Sequence, residues 1–175
     1  MTAQGESNEA VRRVRVTLTR RGVSCVAELL QTAAPRTSAA VWDALPLEAQ
    51  VYHGKYARNE IYALLASFTD RDPGPENTTI TPIPGDLCWF TFGGDQLGNP
   101  AYGYERETEH REMTAIIDLA LFYGRNNLLI NGDQGWVPGN VFGTVVEGLD
   151  EMAAACQDLW MGGARGETLR FERID

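Results

Sequence analysis

His53 and Glu60 are the two side chains of this sequence best placed to move a proton. His53 is one of only two histidines, with an ordinary pKa near neutrality, and Glu60 follows seven residues later, set to face it across the turn from Lys55 to Asn59. Arg58 lies in that turn, so the group is suited to binding a carboxylate or passing a proton. His53 and Glu60 are therefore the catalytic candidates. Tyr62, Trp89, Tyr123, Trp136 and Asn140 add the aromatic faces and amides of a polar-edged apolar pocket. The plainer account of His53 is a strand histidine hydrogen-bonded to its neighbours, and turn chemistry accounts equally well for Asn131. His110, inside "ERETEHRE", reads as solvated.

Several chemistries have no residues to run on. No G-x-S-x-G, Walker or dinucleotide glycine pattern occurs, and "GGDQLG" lacks both the spacing and a following Lys-Ser/Thr. Cys25, Cys88 and Cys156 form no C-x-x-C pair and fit small buried hydrophobes in a reducing compartment. With so few histidines and thiols, no metal site and no cofactor is expected. A net charge of −9 repels phosphate backbones and anionic lipid, so neither nucleic acid nor membrane is an expected partner. The N-terminal stretch lacks the apolar run of a leader or a span, and the expected location is the cytoplasm.

The 175 residues are 43% hydrophobic and 22% charged, a composition that supports one globular domain. Residues 1–10 read as a disordered polar arm and 11–175 as the domain. "VRVTLT" alternates apolar and polar and leads through "RRG" into "VSCVAELL", a hairpin. In "AAPRTSAAVWDALP", Thr37, Ala40, Val41, Ala44 and Leu45 fall on one helical face, with Pro35 suited to the first turn. "AQVYHGKY" and "NEIYALLASF" read as two strands, followed by a proline-rich surface connection over 69–84 and the strand "GDLCWFTF". Residues 93–112 form a polar insertion of mixed charge, read as a solvated excursion.

"MTAIIDLALFYG" is apolar on both periods, and its branched and aromatic content favours strand. Asn131-Gly132 suits a type I′ turn. "NVFGTVVEG" is a strand and "LDEMAAACQDLW" a helix with Leu149, Met152, Ala153, Cys156 and Trp160 on one face; "ETLRFERI" closes the chain as a strand. About eight strands and two short helices predict a mainly β fold, a closed antiparallel barrel capped by the helices.

The segments "APRTSAAVWDALP", "VFGTVVEGLDEMAAA" and "TLRFERI" resemble the first helix, the strand-to-helix tail and the last strand of the cyclophilin family, which implies the same capped barrel. "HGKYARNEIY", "PGDLCWFTF", "LFYGRNN" and "PGNVFG" are closer still to a bacterial cyclophilin-like family of unknown function. Cyclophilins rotate X-Pro bonds with an arginine after a Phe-His pair, a Gln-Gly-Gly-Asp stretch and a histidine before the Phe-Gly of the tail. Tyr52-His53 matches the pair, but Gly54 stands at the arginine position and Pro138-Gly139-Asn140 precedes Phe142-Gly143. The electrostatic donor for the twisted amide is missing, so the isomerase machinery reads as lost.

If Ile61, Ala63 and Leu65 point into the barrel, Glu60, Tyr62 and Leu64 point out; if Cys88, Phe90 and Phe92 point in, Leu87 and Trp89 point out. Apolar bulk outside implies a helix, a homo-oligomer partner or a ligand covering it. The leading expectation is a small polar or anionic molecule bound in a barrel-side pocket lined by His53, Arg58, Glu60, Tyr62, Trp89, Tyr123, Trp136 and Asn140. The alternatives are a peptidyl-prolyl isomerase relying on Arg58 and a non-catalytic interaction module using the outer apolar face.

Overall fold

The chain enters the fold through a hairpin, β1 (Arg13–Leu18) and β2 (Val23–Leu29), both alternating between buried and exposed side chains. The structure is a computed structural model that describes residues 10–97 and 115–175. The first nine residues and most of the 93–112 insertion, His110 included, lie outside the described residues.

Helix α1 (Pro35–Ala44) follows with Pro35 in its first turn, where the missing N–H costs nothing. Then come β3 (Leu47–His53), β4 (Glu60–Ala66), the two-residue β5 (Thr78–Thr79) and β6 (Asp86–Phe92). A single turn, α2 (Gly94–Leu97), precedes the described continuation at β7 (Ile116–Phe122). The two-residue strands β8 (Ile130–Asn131) and β9 (Gly135–Trp136) pair only with each other, and β10 (Gly139–Glu147), α3 (Leu149–Gly162) and β11 (Thr168–Ile174) complete the chain.

The sheet runs β2-β1-β11-β3-β4-β7-β6-β10, and β10 pairs back onto β2, closing an eight-stranded antiparallel barrel. A shift of register between Val141 and Gly143 lets β10 bend between its two partners. Gly143 is needed there, because a Cβ would stand 3.1 Å from Leu87 Cδ1 and 3.3 Å from the Glu28 carbonyl oxygen. Inside lie Val14, Val16, Leu18, Ile61, Ala63, Leu119, Leu121, Phe142 and Phe171, all fully buried, and both α1 and α3 pack onto this core.

The capped barrel agrees with the pattern of the sequence; three local expectations need correction. In α3 the buried stripe is Met152, Ala155, Cys156 and Leu159, rotated from the expected one, and Trp160 is 56% exposed. The Asn131-Gly132 pair is not a two-residue turn: Asn131 pairs with Gly135, and its side chain accepts the N–H groups of Asp133 and Gln134. Asparagine's ability to hydrogen-bond its own backbone has won over the left-handed pair. On β6 it is Leu87 and Trp89 that point inward while Cys88, Phe90 and Phe92 point out, one step from the expected phase.

Two buried carboxylates tie the layers together. Glu167 accepts N–H bonds from Arg20, Arg21 and Thr168 and pairs with the Arg21 guanidinium at 3.0 Å, locking the β1–β2 turn to the start of β11. Glu76 caps α1 from forty residues away in sequence: it accepts Arg36 N–H at 3.2 Å, and Thr37 N–H and hydroxyl at 2.8 Å each. Burial opposes ionisation of Glu76, but the bonds from Thr37 and Arg36 outweigh it and hold its pKa below the ordinary value. Glu76→Ala strands these donors. It is expected to cost about 2 kcal/mol, a fall in melting temperature of roughly 4–8 °C, while Glu76→Gln, which keeps an acceptor, loses less.

Candidate functional site

The outer face of β4, β7 and β6 is mainly apolar, with Asp86 at one end of β6 and two further carboxyl groups within it. Register places Tyr62 beside Ala120 and Leu64 beside Asp118, with Cys88 and Phe90 on the next strand, so these side chains share one face with Glu60. Phe90, Phe122 and Ala120 form a second apolar cluster outside the barrel, and Leu64, Leu97 and Ile116 a third. Within this layer stand two carboxyl groups, Glu60 at 8% exposure and Asp118 at 6%.

Two segments cover the layer. The 54–57 stretch folds over it from the end of β3, and the 129–137 stretch, containing β8 and β9, reaches it from the other side. Asn127 anchors this cover: its amide donates to the Pro82 and Gly124 carbonyls and its Oδ1 accepts Asn59 N–H. Between cover and sheet remains an open-mouthed cavity of about 100 Å3. Glu60, Tyr62, Phe90 and Asp118 form its floor, while Lys55, Tyr56 and Gln134 belong to its rim.

Burial pushes the Glu60 carboxyl up to about 8. Asp118 is raised well above the usual carboxylate range, first by burial and then by the neighbouring Glu60 charge. The two titrate as a unit, since ionising one makes ionising the other harder. Asp118 Oδ1 is buried with no hydrogen-bond partner. An orphaned buried oxygen costs about 1–3 kcal/mol, so it stands out against the satisfied Glu76 and Glu167.

Gly54 makes room for Glu60. A Cβ at position 54 would lie 2.6 Å from Glu60 Oε2 and 3.0 Å from its Cβ. Gly54 thus leaves a gap that the Glu60 carboxyl occupies.

Of the residues singled out in the sequence, only Glu60 and Tyr62 line this cavity. His53 points to the other side of the sheet, against the Trp160 ring at 4.8 Å. Its Nδ1 lies 3.0 Å from the Gly54 carbonyl oxygen, which can only accept, so Nδ1 carries the proton and Nε2 accepts from the Tyr123 hydroxyl at 2.6 Å. Burial lowers the His53 pKa and raises Tyr123 to about 12, which matches a neutral imidazole held by a phenol. The structure does not bring His53 and Glu60 together as an acid–base pair, because neighbouring strand residues turn to opposite faces.

Arg58 is exposed on the turn in a left-handed conformation, φ 74°. Trp89 lies inside the barrel, edge-on to Phe68 at 5.3 Å, with its indole N–H donated to Thr91. Trp136 is 56% exposed. Asn140 is a staple: it accepts Glu76 N–H and donates to Thr37 Oγ1 and the Gly74 carbonyl.

Sequence reasoning missed Asp118, Phe90 and Gln134. Asp118 had a signal, a lone carboxylate in the middle of "IIDLALF", a strand buried at every position.

Fold and cavity together define a closed eight-stranded antiparallel barrel with two helices and a side pocket. Residues 16–171 match the model of a family of unknown function, DUF3830, and the chain belongs to that family. No curated protein matches it. Among solved structures it is similar to McbB in complex with tryptophan, with a TM-score of 0.58 and 17% identity over 91% of this chain. The match takes in 44% of McbB, so the chain spans less than half of that protein's length. A hypothetical protein from Archaeoglobus fulgidus, AF2241, is 23% identical, with a TM-score of 0.48 over 98% of this chain and all of that one. The likeness to McbB is one of fold.

The titration of Glu60 has a sign that can be measured. Its carboxyl titrates near 4.5 when unfolded and near 8 when folded. The folded state therefore holds the extra proton between these values, and stability falls as pH rises through that window. Relative to Glu60→Gln, the wild type is expected to lose melting temperature steadily between about pH 5 and 8. Gly54→Ala displaces the carboxyl from its gap. It is expected to flatten the same pH profile and to cost about 1–3 kcal/mol at low pH through overpacking.

Proposed function

We propose that the protein binds a small molecule in the side pocket between the β4–β7–β6 face and its cover, with Glu60 and Asp118 as the polar anchor. One observation carries this reading: the orphaned Asp118 Oδ1, buried in an otherwise apolar strand that lines an open-mouthed cavity. A carboxyl kept there at a cost to stability has its missing partner supplied by something that enters. Tyr62 and Phe90 give that molecule an apolar seat.

The pocket also bears on the apolar bulk outside the barrel. Residues 54–57 and 129–137 line the pocket over part of it, which supports a ligand as one cover alongside a homo-oligomer partner. The order of strands and helices supports the resemblance to cyclophilins in architecture. Nothing comparable supports their reaction, since Gly54 and the exposed Arg58 leave the floor of the pocket without a cationic donor for a twisted prolyl amide. That McbB is known with tryptophan makes aromatic amino acids a sensible part of any ligand set.

The test is a thermal-shift screen of metabolites on the wild type, Asp118→Leu, Glu60→Gln and His53→Ala. A true occupant at about a hundred times its Kd adds about 2.7 kcal/mol, or roughly 5–10 °C. The shift is expected to vanish in the two carboxyl variants and persist in His53→Ala. Asp118→Leu itself is expected to melt higher than the wild type, by about 1–3 kcal/mol. Hits that survive both carboxyl substitutions sink the proposal.

A further inference from the structure

Two acids in an apolar wall set the charge of what they receive. An anion beside Glu60 and Asp118 would need both to stay protonated and would gain no ion partner at the floor of the pocket. A hard metal ion needs six or more oxygen ligands. The floor offers the carboxyl oxygens and otherwise mainly aromatic and aliphatic surface. An ammonium group differs from both. It brings N–H donors that Asp118 Oδ1 lacks, and its charge is welcomed by carboxylates and by aromatic faces alike.

Those faces are in place. The Phe90 and Phe92 rings lie 6.1 Å apart and 13° from parallel, and Tyr62 is backed by the stacked Tyr52 ring at 5.5 Å. Such walls accept a flat apolar body as well as a charge.

We propose that the occupant of the side pocket is an organic cation, a protonated amine on a flat apolar body, whose ammonium seats between Glu60 and Asp118 and displaces one proton from the pair. The inference rests on the side-pocket reading and names the ligand class. The exchange balances: the cation enters, one carboxyl of the pair ionises, and its proton leaves to solvent. The empty pocket keeps its acids protonated because burial disfavours their charge. The arriving cation supplies the opposite charge that lets one ionise.

Other titratable groups face the pair. Tyr62 on β4 and Cys88 and Asp86 on β6 share its face; the burial-raised Cys88 thiol stays neutral at physiological pH, and the Asp86 carboxyl, raised by burial, is held at the end of the strand by Ile83 N–H. Tyr56 and Lys55 come from the covering segment, Lys55 exposed at the rim. From the β8–β9 side the lining polar groups are the amides of Asn131 and Gln134, which do not titrate. The proton released is thus that of the carboxyl pair.

Three probes of one shape separate the cases: phenethylamine, 3-phenylpropanol and 3-phenylpropionate, titrated into the full chain by calorimetry. Phenethylamine is expected to bind at least about tenfold more tightly than either of the others. Its affinity is expected to rise about tenfold per pH unit up to about pH 8. Repeating the titration near pH 7 in buffers of different ionisation enthalpy should count about one proton released per amine bound. Asp118→Asn and Glu60→Gln, which keep the side-chain size, are each expected to weaken amine binding at least about tenfold, and the double variant to lose both the affinity and the release.

Equal or tighter binding of the alcohol or the propionate overturns the cation and leaves the pocket standing. Amine binding without pH dependence or proton release overturns the exchange. Binding of none of the three at millimolar concentration overturns the inference, and the metabolite screen then decides separately on the pocket.

Discussion

A strand in a closed barrel has only two directions for its side chains, and everything at the candidate site follows from that constraint. Once β10 pairs with β2, there is one inside. Ile61, Ala63, Leu119 and Leu121 fill it, and Glu60, Tyr62, Leu64 and Asp118 must face outward. Because β7 is apolar on both faces, its outer side cannot be left to water. The covering segments answer that need. The cavity is the space they leave over two carboxyl groups.

The carboxylates of this molecule separate into two kinds by what surrounds them. Glu76 and Glu167 are buried among N–H donors, remain charged, and join parts of the chain far apart in sequence. Glu60 and Asp118 are buried among hydrocarbon and aromatic rings, and their pKa values move the other way. All four expose little surface, but Glu60 and Asp118 lie deeper than Glu76 and Glu167. Depth and hydrogen bonding together decide whether the charge is kept. The first kind stabilises the fold, whereas the second stores a cost that an occupant can relieve.

His53 illustrates how a chemically plausible residue can be engaged elsewhere. Both ring nitrogens are used, one by the Gly54 carbonyl and one by Tyr123, on the side of the sheet that faces α3. Gly54, next in the chain, belongs to the other side and gives Glu60 its room. Two adjacent residues thus serve two unrelated environments. The same alternation explains Trp89, which fills the barrel while Phe90 lines the pocket.

The architecture was legible in the chain. Alternation in "VRVTLT" and "ETLRFERI", Pro35 ahead of a helical stripe, and the strand-to-helix run from Gly139 are local signals, and local sterics and burial period suffice to produce them. Glu60 and Tyr62 were legible as outward-facing for the same reason. Sequence by itself could not set the phase of β6, where "LCWF" is apolar at every step, nor make Asp118 more than an oddity in an apolar strand. Those points depend on which residues lie opposite one another across β4, β7 and β6, and register is a property of closure. Only the tertiary structure put Asp118 on the same face as Glu60, turned His53 away from both, and buried the pair beneath the residues that line the cavity.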